Sequence, residues 1–249
     1  MRMTGLRPGL DSQLKRQALW LRESWLWLLR TRVLEKEPSR LKALDVGCGP
    51  GHVMEVMSAQ MDVRGLDIDP AMVTEASKRG LSVVEGPAEN MPFEDGSFDL
   101  VYCTFLLLWV KDPVKVVSEM KRVSRRWVAC LAEPDFGARL DYPDALAPLR
   151  DLIVRGMKRE GGDPYVGRKL RSVFAKSGLE AEVGAHLGVW SIDKLREETP
   201  DEWRYLLMTA EPSFDSKLQV DKIRLAWDGA LADRSLFQFN PVFYALAKK

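Results

Sequence analysis

Between positions 47 and 51 the stretch ALDVGCGPGHV, residues 43–53, carries three glycines, Gly47, Gly49 and Gly51, and Asp45 precedes them in the spacing D-x-G-x-G-x-G. Glycines set this closely after an apolar run permit positive φ in a tight turn and let a ligand touch the main chain. In an open α/β sheet, ligands bind beyond the carboxyl ends of the strands, and the first strand-to-helix turn is such a place. The spacing is not the G-x-G-x-x-G of a dinucleotide fingerprint, and no lysine follows the second glycine as a P-loop requires. Cys48, enclosed by glycines, reads as a small filler rather than a nucleophile.

A second feature follows at GLDIDP, residues 65–70. Asp67 falls at the expected tip of the second strand, about twenty residues after the glycines, where a carboxylate can accept both hydroxyls of a ribose. Asp69 stands directly before Pro70 and a helical pattern, so it reads as that helix's N-cap.

Three more pieces come in order: GPAENMPF (86–93), SFDLVYC (97–103) and LLLWVKDP (106–113). With the glycine loop and Asp67, residues 43–113 closely resemble the class I S-adenosylmethionine-dependent methyltransferases. The resemblance is to the small-molecule group that carries a G-x-A-E-x-L-P-F element before the fourth strand. GGDPYVGRKL and NPVFYALAKK are similar, more loosely, to phrases in relatives acting on quinones and other lipophilic metabolites.

Residue by residue, the resemblance implies that the main chain of Gly47, Cys48 and Gly49, with Gly51 closing the turn, lines the methionine part of S-adenosylmethionine, and that Asp45 orients this loop. Asp67 would bind the ribose and Ile68 lie beside the adenine. Ala88 and Glu89 would read the adenine, and the main chain near Cys103 and Thr104 would receive the cofactor's amino group. Pro87 departs from the pattern: many relatives have there an aspartate that accepts from the adenine amino group, so adenine recognition falls more on backbone atoms. KRVSRRWV also lacks the usual proline and glycines before the fifth strand.

A sulfonium methyl is already electrophilic, so the protein's main task is to hold acceptor and methyl carbon about 3 Å apart in a dry pocket. If the acceptor is a hydroxyl or amine, a base can take its proton. The candidates are Glu133 and Asp135 after the fifth strand, Tyr142 downstream, and His186, which sits in an alternating strand where a satisfied structural role is the commoner one. Trp109 and Arg168, with Tyr142, are candidate acceptor contacts. No D/N-P-P-Y/F motif follows the fourth strand, as an amino-nitrogen methyltransferase of adenine or glutamine would show. The apolar YCTFLLLW there favours a lipophilic or aromatic acceptor.

The elements that must position these residues alternate. Strands are expected at 41–46, 63–68, 81–86, 98–105, 127–134, 180–190 and over VFYALA near the end, and helices after most of them. The fold class is therefore α/β, a Rossmann-like seven-stranded, mostly parallel sheet whose last strand is antiparallel, with helices on both faces. One methyltransferase domain spans 1–249. Residues 1–37 and 192–234 are added helical cap elements over a core of 38–191 plus 235–249.

Lysine plus arginine, 37, nearly balance aspartate plus glutamate, 36, so no global field points to nucleic acid or an anionic membrane. Three cysteines without a C-x-x-C pair fit a reducing compartment, and with only two histidines no metal is expected. No segment reaches the roughly 18 apolar residues of a membrane span, and no signal-peptide pattern opens the chain, so the expected location is the cytoplasm. LWLRESWLWLLR (19–30) reads as a helix packing its aromatic stripe on the domain. The expected partner is a small-molecule acceptor. The alternatives are an RNA or protein methyltransferase and a non-catalytic S-adenosylmethionine-binding protein, because binding and transfer share the same motifs.

Overall fold

A computed structural model describes residues 10–37, 39–186, 190–210 and 217–249. The elements in chain order are α1 (Leu10–Trp20), α2 (Arg22–Arg32), β1 (Lys42–Val46), α3 (His52–Met57), β2 (Asp62–Asp67), α4 (Pro70–Lys78), β3 (Val83–Glu85), β4 (Phe98–Thr104) and α5 (Pro113–Val123). They continue as β5 (Ser124–Pro134), β6 (Leu140–Tyr142), α6 (Pro148–Arg159), α7 (Val166–Lys176), β7 (Ala181–His186), α8 (Ile192–Ala210), α9 (Lys217–Ala232), β8 (Phe237–Phe239) and β9 (Val242–Lys248). The chain forms two compact units, one of Met1–Glu133, Arg168–His186 and Phe243–Lys249, the other of Pro134–Gly167 and Leu187–Val242.

The first unit holds a seven-stranded sheet in the order β3-β2-β1-β4-β5-β9-β7, mostly parallel with one antiparallel strand. The seven strands expected from sequence are all present. Their near-continuous apolar runs follow from burial on both faces: Leu44 and Val46 of β1, Val101 of β4 and Val128 of β5 have no accessible surface. Strand β1 pairs with β2 on one side and β4 on the other, Val46 standing in register with Leu66 and Cys103. The chain thus runs outward through β2 and β3, then crosses back to β4 and β5, which puts the topological switch at the carboxyl end of β1.

Proline and aspartate set the starts of α4 and α5. Asp69 accepts from the Ala71 N–H at 2.9 Å with Pro70 at the first turn of α4, and Asp112 accepts from Lys115 N–H at 2.9 Å ahead of Pro113 in α5. In α2, Trp25, Leu28 and Leu29 face inward while Trp27 stays exposed, so the tryptophan stripe divides between core and surface.

The second unit contains a feature the sequence did not announce, a two-stranded antiparallel ribbon of β6 and β8. Leu140 opposes Phe239 and Tyr142 opposes Phe237, and Asp141 between them pairs with Arg139 at 2.9 Å. Helix α8 packs on α6 and α9, with the Trp203 and Trp227 rings edge-on at 5.4 Å and Trp227 Nε1–H donating to Thr199 Oγ1 at 3.2 Å. The strand expected over 180–190 is observed from Ala181 to His186; residues 187–189 lie outside the described residues.

Truncating the centre of β1 should be costly. Leu44→Ala is expected to lower unfolding free energy by about 2–5 kcal/mol, read as a reduced urea midpoint. An unchanged midpoint would contradict this packing.

Candidate functional site

The carboxyl edge of the sheet brings together Asp67 from β2, the glycine loop after β1, Cys103 and Thr104 at the end of β4, and Glu133 near the end of β5. Gly47, Gly49 and Gly51 all have positive φ, at 71°, 53° and 91°. At Gly47 the positive φ disfavours a side chain, and a Cβ would meet Leu106 Cδ1 at 2.6 Å so that this leucine would have to shift; at Gly51 a Cβ would strike Leu81. At Gly49 nothing stands within 4 Å of that position, so this glycine is required by its backbone conformation alone and leaves its main chain open to a ligand.

The hydrogen bonds of the loop determine what kind of ligand it suits. Gly47 and Cys48 N–H both donate to Leu66 O, at 2.7 and 3.1 Å, and Gly51 N–H donates to Cys48 O at 3.1 Å. Gly49 N–H donates to Asp67 Oδ2 at 2.8 Å, and Pro50 has no N–H. These donors are spent inside the protein, so the loop is no cradle for phosphate, which needs converging N–H groups.

Behind it lies Asp45, with no accessible surface and neither carboxylate oxygen in a hydrogen bond among the described residues. Burial pushes its pKa well up, the nearby Tyr102 hydroxyl pulls the other way without reaching hydrogen-bonding geometry, and Asp67 pushes it up further. With its N–H donors spent, the loop offers little to an anionic ligand, and S-adenosylmethionine, which carries no phosphate and has cationic amino and sulfonium groups, meets that requirement.

Asp67 is held in place by its neighbours. Its Oδ1 accepts from Asp69 N–H at 2.9 Å while Oδ2 takes Gly49, and each oxygen keeps a lone pair for a further donor. Burial raises its pKa against these two bonds. Ile68 is exposed at the strand tip. Gly86 N–H donates to Asp67 O at 2.9 Å, which places the loop of Ala88, buried, and Glu89, half-buried, beside β2.

Glu133 faces the loop after β4. Its Oε1 accepts from the N–H groups of Leu106 and Leu107 at 2.8 and 2.6 Å, and Oε2 from Leu108 at 3.3 Å. Phe105, just before them, holds φ at 50°, a costly conformation for a non-glycine residue that the surrounding bonds stabilise. Burial pushes the Glu133 carboxyl up to about 8 despite the three donors. Leu106, fixed this way, is the wall against Gly47, and Trp109, 40% exposed, ends the same turn.

His186 is buried in β7, its Nε2–H donating to Leu131 O at 2.6 Å, and burial lowers its pKa, so it is a neutral, satisfied ring. Asp135, buried, donates its N–H to Pro241 O, and Tyr142 is exposed on the ribbon, both within the second unit. Arg168 is exposed on α7. Cys103 and Cys130, in register across β4 and β5, lie with Glu133 within 4.8 Å of one another; burial pushes the Cys130 thiol up, and the carboxylate is taken by the three N–H groups. Burial likewise pushes up the Cys48 thiol, consistent with an inert filler.

Two contributors were not foreseen. Tyr102, facing Asp45, is hidden in the apolar β4 run. His52, next to Gly51, donates Nε2–H to Asp11 Oδ1 at 2.9 Å, and Arg79 reaches the same carboxylate at 3.0 Å, which docks α1 beside the glycine loop. Nothing in their spacing signalled a bond across 41 residues.

A family model described as "Methyltransferase domain" matches residues 44–129. The chain is 31% identical over 178 residues to a demethylmenaquinone methyltransferase of Bacillus licheniformis, covering 62% of this chain and 77% of that one. It is 37% identical over 156 residues to an uncharacterized 37.1 kDa protein in a transposon of Streptomyces fradiae, covering 55% of this chain but only 43% of the relative's length. In fold it is similar to a phosphoethanolamine N-methyltransferase of Haemonchus contortus solved with S-adenosylhomocysteine, at TM-score 0.55 and 16% identity, over 91% of this chain and 52% of that one. The chain belongs to the class I S-adenosylmethionine-dependent methyltransferases.

Three buried acids, Asp45, Asp67 and Glu133, have raised pKa values, so the native state holds protons at pH values where the unfolded chain has released them. Their contribution to stability is full below the unfolded carboxylate values of about 4 and is lost as pH rises through the folded values. For Glu133 that loss ends near 8. The melting temperature of cofactor-free protein should fall from about pH 5 to about pH 8, and Glu133→Gln should flatten part of that fall. A melting temperature that rises across this window would contradict the assignment.

Proposed function

We propose that this protein transfers the methyl group of S-adenosylmethionine to a small, lipophilic or aromatic acceptor, as the small-molecule group with the G-x-A-E-x-L-P-F element does. The observation that carries the reading is the glycine loop whose N–H groups are consumed internally, with the buried, unpaired Asp45 behind it. Such a loop favours a cation over an anion, which separates this cofactor from nucleotides held by their phosphates.

When bound, the cofactor supplies an electrophilic methyl on its sulfonium. The chain's own residues bind and orient. Carbonyls of Gly47, Cys48 and Gly49 and the main chain near Cys103 and Thr104 take the amino-acid end. The spare lone pairs of Asp67 accept the ribose hydroxyls, and Ala88 and Glu89 meet the adenine beside exposed Ile68. Glu133 is assigned to holding the 106–108 main chain, which fixes Leu106 against Gly47 and sets Trp109 at the mouth. That role, rather than general base, fits an oxygen already accepting two N–H groups.

The lipophilic acceptor is supported by the apolar 105–109 segment, the 40% exposure of Trp109, and the demethylmenaquinone methyltransferase among the relatives. The reading takes 1–249 as one methyltransferase domain, with 1–37 and 192–234 as cap elements, acting in the cytoplasm. Among the described residues no helix is long and apolar enough to cross a membrane.

Calorimetry with S-adenosylmethionine and S-adenosylhomocysteine should show binding in the wild type. Asp67→Ala, which removes the partner of Gly49 as well as the ribose acceptor, should weaken it at least about tenfold, or 1.4 kcal/mol. Gly47→Val should abolish it, since φ disfavours the side chain and Leu106 would have to shift. Wild-type protein that binds neither ligand would refute the reading. Labelled cofactor incubated with a panel of quinols and phenols should yield a labelled product. Binding without any product would favour a cofactor-binding protein without transfer activity.

A further inference from the structure

The segment that follows β3 has little regular structure, yet its main chain is fixed at both ends. Gly86 N–H is bonded to Asp67 O at one end. At the other, both backbone groups of Met91 are taken by side chains of α5: its N–H donates to Glu119 Oε2 at 2.9 Å, and its carbonyl accepts from Arg122 Nη2 at 3.0 Å. Only Pro87, Ala88, Glu89 and Asn90 lie between these anchors.

Arg122 does more than hold Met91. Nη1 donates to Phe93 O and Asp95 Oδ1, both at 2.8 Å, and Nε and Nη2 donate to the two oxygens of Glu119, each at 2.9 Å. With the bond to Met91, all five guanidinium N–H groups are used. Gly96 N–H returns to Arg122 O at 3.0 Å, closing the segment onto α5 from the far side. Glu119 is itself buried, and the hydrogen bond from Arg122 holds its carboxyl below the usual range. A rigid planar fork matched to two carbonyls and two carboxylates is a task that a lysine, a flexible point charge with three donors, cannot perform.

We infer that Arg122 and Glu119 are positioning residues for adenine recognition: from outside the pocket they set the main-chain geometry of Ala88 and Glu89, and so both cofactor affinity and discrimination of the base. The inference rests on the proposed cofactor site and adds to it the elements that give that site its shape. Because Pro87 leaves adenine recognition to backbone atoms, the clamp on that backbone takes the place of a recognising side chain.

The test measures binding of S-adenosylhomocysteine and of S-inosylhomocysteine, in which a carbonyl replaces the adenine amino group, to wild type, Arg122→Lys and Glu119→Gln. Wild type should prefer the adenine form. Both variants should remain folded by circular dichroism, bind S-adenosylhomocysteine about tenfold more weakly, and lose most of the preference between the two bases. Lysine preserves the charge, so failure of Arg122→Lys to restore discrimination separates a positioning fork from a general electrostatic effect. Should Arg122→Lys not fold, Glu119→Gln carries the test, because it keeps an acceptor for Met91 N–H but loses the charge pairing. Folded variants with wild-type affinity and wild-type base preference would overturn the positioning role and leave the cofactor reading intact. Wild type that binds neither compound would overturn both.

Discussion

The hydrogen bond from Gly49 N–H to Asp67 Oδ2, 2.8 Å, ties the turn after β1 to the tip of β2 and is the contact on which the site depends. It removes the Gly49 N–H from the pool of ligand donors, and it orients Asp67, whose oxygens each keep a lone pair for a ligand. With Gly47 and Cys48 already bonded to Leu66 O, the loop has spent its N–H donors inside the protein. A dinucleotide or P-loop turn does the reverse. Two glycine-rich turns at the same place in similar sheets can therefore select ligands of opposite charge.

The same arrangement stores a cost in the native state. Asp45 is buried without a hydrogen bond, and the raised pKa values of Asp45, Asp67 and Glu133 record how unfavourable their ionisation is. Groups kept in unfavourable surroundings are common where function needs a field or a proton at a fixed place. The central strands of the sheet are apolar on both faces, and side chains of neighbouring elements hold the two loops: Glu133 the loop after β4, and Arg122 with Glu119 the loop after β3.

Much of the fold was legible because its signals are local. Apolar runs bounded by turn residues marked all seven strands of the main sheet, and Asp69-Pro70 marked the start of α4. The ribbon was not legible: β6 and β8 are three residues each and meet only through a pairing between residues 97 apart, as at Asp141 and Gln238. At the candidate site, strand position says which residues stand at the carboxyl edge but not where their side chains turn. Glu133 looked like a base because it ends a strand, and its oxygens turn to three N–H groups instead. Glu119 and Arg122 stand i, i+3 on α5, and that they satisfy Met91 and Phe93 is a tertiary fact that no spacing encodes.

The glycine loop is proposed to select a cationic end. This selection is tested most directly by comparing the affinity of S-adenosylhomocysteine with that of its deaminated analogue, which keeps the adenosine and the carboxylate but lacks the amino group. Removing the amino group should weaken binding by about tenfold or more, the worth of a charge-assisted hydrogen bond in a partly buried site. Equal affinity for the two compounds would contradict the account.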